Sequence, residues 1–136
     1  MSLKAEAFLK QAATVCRYLL GLIFAVFGSN HLIQWMPNPT QTGIAQQFTT
    51  VMVSSHWMFA VGLCEVIPGI LLLINVFVPL ALAVLGAVIV NILLAGFLVA
   101  PMGLPAGLIV ALLWLVVFWR YRASFAGIFR PRPALD

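Results

Sequence analysis

Few residues of this 136-residue chain are equipped for acid–base, nucleophilic or metal chemistry. Three are acidic, two are His and two are Cys. Glu6 and Asp136 sit near the chain ends. Glu65 lies alone in the middle, inside the run HWMFAVGLCEVIPGILLLI (56–74). That run has the length and apolarity of a membrane span. A charged carboxylate near a bilayer centre costs roughly 2.5–3.5 kcal/mol on insertion scales, so it faces a bundle interior or a wet cavity and takes a partner. Glu65 therefore either glues two helices together or serves a functional site. Pro68 has no N–H, so the carbonyl of Cys64 loses its helical partner and a kink is expected there.

Counting along each helix indicates which groups lie at similar depth. At 1.5 Å per residue, Glu65 lies roughly 14 Å below His56, Asn91 roughly 12 Å below Val99 and His31 roughly 8 Å below Met36. Asn30, His31, Glu65 and Asn91 are therefore expected to converge on one cavity in the outer half of a bilayer. Phe27 and Gln34 share the face of Asn30 and His31. Phe27, Phe48, Trp57 and Trp114 are the expected apolar walls, and Phe48 or Met52 the closure. Arg17, near the opposite end, is expected to snorkel to the interface. His31 is then the cationic partner for Glu65, and the two are expected to share a proton directly or through a ligand or water. No H-x-x-H or E-x-x-H pair occurs on one span, so no metal site is expected. No phosphate-binding glycine loop or nucleophile elbow occurs, and no catalytic residue is assigned. Cys16 and Cys64 differ in depth by more than a disulfide spans and read as small packing residues.

The elements that must position these groups follow from composition. The chain is 64% hydrophobic and 7% charged, against about 25% charged in soluble domains. In lipid the backbone must satisfy itself, which leaves helices or a closed barrel. Apolar runs near 20 residues select helices. We therefore expect one all-α, integral-membrane four-helix bundle, with spans at about 14–36, 56–74, 78–99 and 104–119. Residues 2–13 read as a short interfacial helix. Between the first two spans, Pro37 and Pro39 break the chain. Ile44, Phe48, Val51 and Met52 then recur at helical spacing, predicting an amphipathic outer-surface helix at about 40–53. Gly21, Ala25 and Ser29 form one small-residue face; Ala83, Ala87, Asn91 and Ala95 form another. The tail 129–136 reads as a loose end.

The net charge of +4 does not indicate nucleic acid. Lys4, Lys10 and Arg17 lie at the N-terminus, Arg120, Arg122, Arg130 and Arg132 lie at the C-terminus, and residues 18–119 contain no Lys or Arg. This is the positive-inside pattern, with both termini cytoplasmic in a multi-pass protein, expected in a bacterial inner membrane.

Four pieces carry a resemblance: LLGLIFAVFGSNHLIQWMP (19–37), GLCEVIPGILLLINVFVPLAL (62–82), VIVNILLAGFLVAPMGLPAGL (88–108) and FWRYRASFAGIF (118–129). In order and spacing they resemble the DoxX-like family of small membrane proteins. The family's polar marks correspond to Gly28, Asn30, His31, Glu65 and Asn91. Where relatives can place a His five residues after the third-span Asn, this chain has Gly96, a departure that argues against a multi-His site. The resemblance implies a four-helix membrane bundle. Relatives are linked to a thiosulfate:quinone oxidoreductase subunit, to redox-stress complexes and to methylamine-dehydrogenase maturation, and distant ones include an animal receptor-assembly chaperone.

The leading expectation is an accessory or redox-associated subunit that binds a small amphipathic molecule, quinone-like or lipid, in an outward-facing polar pocket. With no electron carrier of its own, the chain is not expected to be an independent oxidoreductase. The alternative is an assembly factor using the same polar groups on a partner helix or a second copy. A small transporter ranks third.

Overall fold

The computed structural model describes residues 2–131. Their architecture is all-helical: α1 (Leu3–Ile33), α2 (Gly43–Ser54), α3 (Trp57–Leu73), α4 (Val78–Leu98) and α5 (Leu104–Tyr121), with 3-10 turns at Pro101–Gly103 and Arg122–Phe125. Of the tail, Arg132 to Asp136 lie outside the described residues. α1 packs most extensively on α3; α3 and α4, α4 and α5, and α5 and α1 complete a four-helix ring. Leu20, Leu72, Leu82, Leu85 and Val117 are the fully buried heart of that ring. α1, α4 and the segment built on α5 are each long and apolar enough to cross a membrane. The shorter α3 qualifies together with α2, from which it is bent by 80°.

The expected interfacial helix at 2–13 and the first span are one helix, not two. Ser2 accepts from the N–H of Ala5 and caps its start. Nothing between Ala12 and Thr14 breaks it, and the Thr14 hydroxyl satisfies itself on the carbonyl of Lys10. It ends at Ile33, earlier than the sequence indicates, because Gln34 turns left-handed at φ 47°. Asn30 Oδ1 then accepts the N–H of Met36 and draws the chain back over the helix end. α2 begins at Gly43, itself at φ 63°, and carries Ile44, Phe48 and Val51 exposed along one side, as an amphipathic surface helix should. His56, at φ 60°, occupies the bend into α3. Pro68 is accommodated inside α3.

Arg17 does not snorkel. It is 5% exposed, and its Nη1 donates to the carbonyl of Leu72. Leu72 lies in the last turn of α3, where carbonyls lack intrahelical donors and the helix dipole is negative. At the same end, the Tyr121 hydroxyl donates to Asn75 Oδ1. These two contacts gather the described Lys and Arg at one end of the bundle, and α2 lies at the other. Cys16 packs beside the core, whereas Cys64 points outward, exposed, and is not a packing residue.

Candidate functional site

The site forms at one of the close approaches of α1 and α3. Gly28 and Gly62 make that approach feasible. A Cβ on Gly28 would stand 2.8 Å from Glu65 Cβ, and one on Gly62 would stand 2.9 Å from the Gly28 carbonyl and 3.0 Å from His31 Cβ. With no side chain at either position, His31 and Glu65 face each other across the seam. His31 Nδ1 and Glu65 Oε2 are 2.6 Å apart. Glu65 is 3% exposed and His31 30%. The carboxylate is thus sealed among the helices, while the imidazole bridges it to a chamber above.

That chamber has a volume of about 170 Å³ and is lined by Asn30, His31, Gln34, Asn38, Gln41, Thr49, Val53 and Met58. α1 supplies its floor, the 34–42 loop its side and α2 its roof. Thr49 donates to Gln41 Oε1 at 2.6 Å, tying roof to side. Among the lining residues only His31 is ionisable; the others offer amides, a hydroxyl and two apolar groups. A larger open hollow of about 440 Å³ lies against Lys10, Gln11, Thr14 and Val15. A single helix lines it, about 25 Å along α1 from His31, so it plays no part in this site.

The sequence-predicted residues divide accordingly. Asn30, His31 and Gln34 line the chamber, and Glu65 sits behind His31. Asn91 does not join them: it is exposed on the outer face of α4, where its Nδ2 donates to the carbonyl of Ala87 on its own helix. Ala83 and Ala87 face outward with it, because Leu82, Leu85 and Ile89 occupy the inner side. Phe27 is exposed, since one residue of helix is about 100° of rotation and its neighbour Gly28 takes the inner direction. Phe48 lies on the apolar side of α2, away from the chamber, and Thr49 and Val53 replace Phe48 and Met52 as the roof. Trp57 is exposed at the start of α3. Trp114 is built into the core, its indole N–H on the Leu82 carbonyl at 2.8 Å and its ring stacked on Phe118 at 4.8 Å. The aromatic walls expected from sequence are therefore absent from this chamber. Asn38, Gln41, Thr49, Val53 and Met58 were not anticipated. Thr49 and Val53, four apart on one side of α2, were the available signal.

Hydrogen-bond capacity defines the chemistry. The chamber combines a hydrogen-bonded His–carboxylate pair with neutral donors and acceptors. No group of three or more His, Cys, Asp or Glu is placed for a metal among the described residues.

Comparison with known proteins gives one family. A family model described as DoxX matches residues 12–101, from within α1 to the turn preceding α5. No curated protein and no solved structure matches.

Proposed function

The chain belongs to the DoxX family, and we propose that it acts in the membrane as an accessory subunit whose chamber under α2 holds the head of a small amphipathic molecule, a quinone or a lipid. The observation that carries this reading is the buried Glu65 engaged by His31 at 2.6 Å beneath a cluster of polar side chains. An intramembrane carboxylate is costly to keep, and helix packing alone could use a cheaper residue. At about 170 Å³ the chamber is smaller than the roughly 300–1,000 Å³ of whole-ligand sites. It suits a head group, with the tail left in lipid beside exposed Phe27 and Trp57.

Native mass spectrometry with extraction of co-purifying small molecules tests this. The wild-type chain is expected to carry one such molecule. Thr49→Trp, which fills the chamber from the roof, is expected to lose it. A wild-type chain that carries nothing, or a Thr49→Trp variant that carries the same molecule, overturns the reading.

A second reading rests on Asn91. Its depth places an amide against hydrocarbon, with Oδ1 making none of the described hydrogen bonds. A second copy or a partner helix that met it there would use the alanines for close approach and the amide for an interhelical bond. The same native spectra address it: dimers reduced by Asn91→Leu favour assembly through α4, and dimers unaffected by that change count against it.

The gathering of basic residues at one end supports placing both termini in the cytoplasm of a bacterial inner membrane and α2 outside. In a chain carrying Cys16→Ser and Cys64→Ser, Gln46→Cys is expected to react with an impermeant thiol reagent added to intact spheroplasts. Reaction only in inverted vesicles reverses the orientation.

A further inference from the structure

What the chamber offers its occupant depends on where two protons sit. Nδ1 of His31 is engaged with Glu65 Oε2. Nε2 makes none of the described hydrogen bonds. Among the described residues no sealed-off side-chain nitrogen or oxygen is left without a partner, so Nε2 remains accessible, and His31 lines the chamber. Among the described residues the pair has no Lys or Arg partner. No Lys or Arg occurs between residues 18 and 119, and Arg17 stands roughly 21 Å away along α1, spent on the end of α3. An uncompensated charge held away from water is strongly disfavoured even after relaxation. The stable form of the pair is therefore net neutral, which means two protons shared among Nδ1, Nε2 and the carboxyl group.

One of these lies between Nδ1 and Oε2. At 2.6 Å the contact is shorter than the usual ~2.9–3.0 Å of a neutral N–H···O bond and matches a strong acid–base bridge. The second proton is then on Nε2. This holds on whichever side of the bridge the first proton rests. A carboxylic acid donating to Nδ1 leaves Nε2–H, and so does a carboxylate accepting from an imidazolium.

We infer that His31 Nε2–H is the donor presented to the chamber, and that the head group bound there is an uncharged oxygen acceptor, for which a carbonyl, an acceptor with no proton of its own to place, is the best fit. The inference rests on the chamber being a ligand site, as proposed above. A carboxylate or other anionic head would enter beside Glu65 with no Lys or Arg among the lining residues. A hydroxyl head that donated to Nε2 would require the pair to give up a proton and stand charged. A carbonyl requires neither. The neighbouring Gln34 and Asn38 amides supply neutral hydrogen bonds around the head, and the small volume leaves its apolar tail outside.

The test uses the full chain, uniformly 15N-labelled, in detergent micelles; His31 and His56 are the only histidines, and His56→Asn assigns their ring nitrogens. His31 Nε2 is expected to show the signature of a proton-bearing ring nitrogen. Acetophenone is expected to bind, shifting that signal together with Gln41 and Thr49. α-Methylstyrene, the same shape with a methylene in place of the oxygen, is expected to bind about tenfold more weakly, the size of one hydrogen bond left unmade. Benzoate is expected not to bind, and His31→Phe should erase the preference for acetophenone. A lone-pair signature at Nε2, benzoate binding, or equal affinity for the ketone and the alkene at the chamber overturns the carbonyl assignment while leaving the site proposal standing. No binding by either neutral probe overturns both.

Discussion

His31→Leu is expected to destabilise the protein by roughly 1–3 kcal/mol, the range for leaving a buried polar group without its hydrogen-bond partner. The cost falls on Glu65. At 3% exposure its carboxyl group cannot reach water, and no Lys or Arg of the spans can replace the imidazole. Thermal unfolding in detergent checks the loss. His31→Gln, whose amide can still meet Oε2, should retain much of the stability. The double variant His31→Leu with Glu65→Leu is the decisive comparison. Replacing both partners by apolar groups removes the uncompensated carboxyl group, so the double variant should be more stable than His31→Leu alone. It should nevertheless fail to retain the co-purifying molecule. Equal or greater instability in the double variant would mean that the pair is not the source of the loss.

Gly28→Leu is expected to separate α1 from α3 and to cost about 1–3 kcal/mol or more, as overpacking does. Even a Cβ at this position would stand 2.8 Å from Glu65 Cβ and 3.0 Å from the backbone nitrogen of Val66, and backbone in a packed helix has little room to yield. The displacement acts directly on the His31–Glu65 contact, so ligand retention should fall along with stability. Gly103→Ala is the control, because nothing lies within 4 Å of its added Cβ. A Gly28→Leu protein with wild-type thermal stability and an unchanged His31 nitrogen spectrum would show that the seam is looser than its geometry indicates.

Much of this molecule is written along the chain axis, and that part is legible from residues in order. The apolar runs require helices because hydrocarbon offers the backbone no other partner. Confinement of every Lys and Arg to residues before 18 and after 119 marks one end of the bundle, where Arg17 and Tyr121 meet the α3–α4 turn. Depth can be counted at a fixed rise per residue, which is why His31 and Glu65, 34 positions apart, could be paired from sequence. Rotation about each axis is different. A soluble helix shows its inner face by an apolar stripe, but a span is apolar all round, and its periodicity carries little directional information. Asn91 and its alanines have the composition of an inward seam and face outward, because the larger Leu82, Leu85 and Ile89 fill the interior between α3 and α5. Gly28 takes the inner direction that Ser29 was expected to share, and turns Phe27 away from the site. On α2 the apolar Phe48 faces outward, since beyond the membrane span the apolar side of a surface helix seeks lipid and leaves the polar Thr49 to roof the chamber. Arg17 is drawn inward by carbonyls at the end of α3 that exist as acceptors only once α3 packs beside it. Composition and spacing determined which groups lie at one depth; packing of the four helices decided which of them meet.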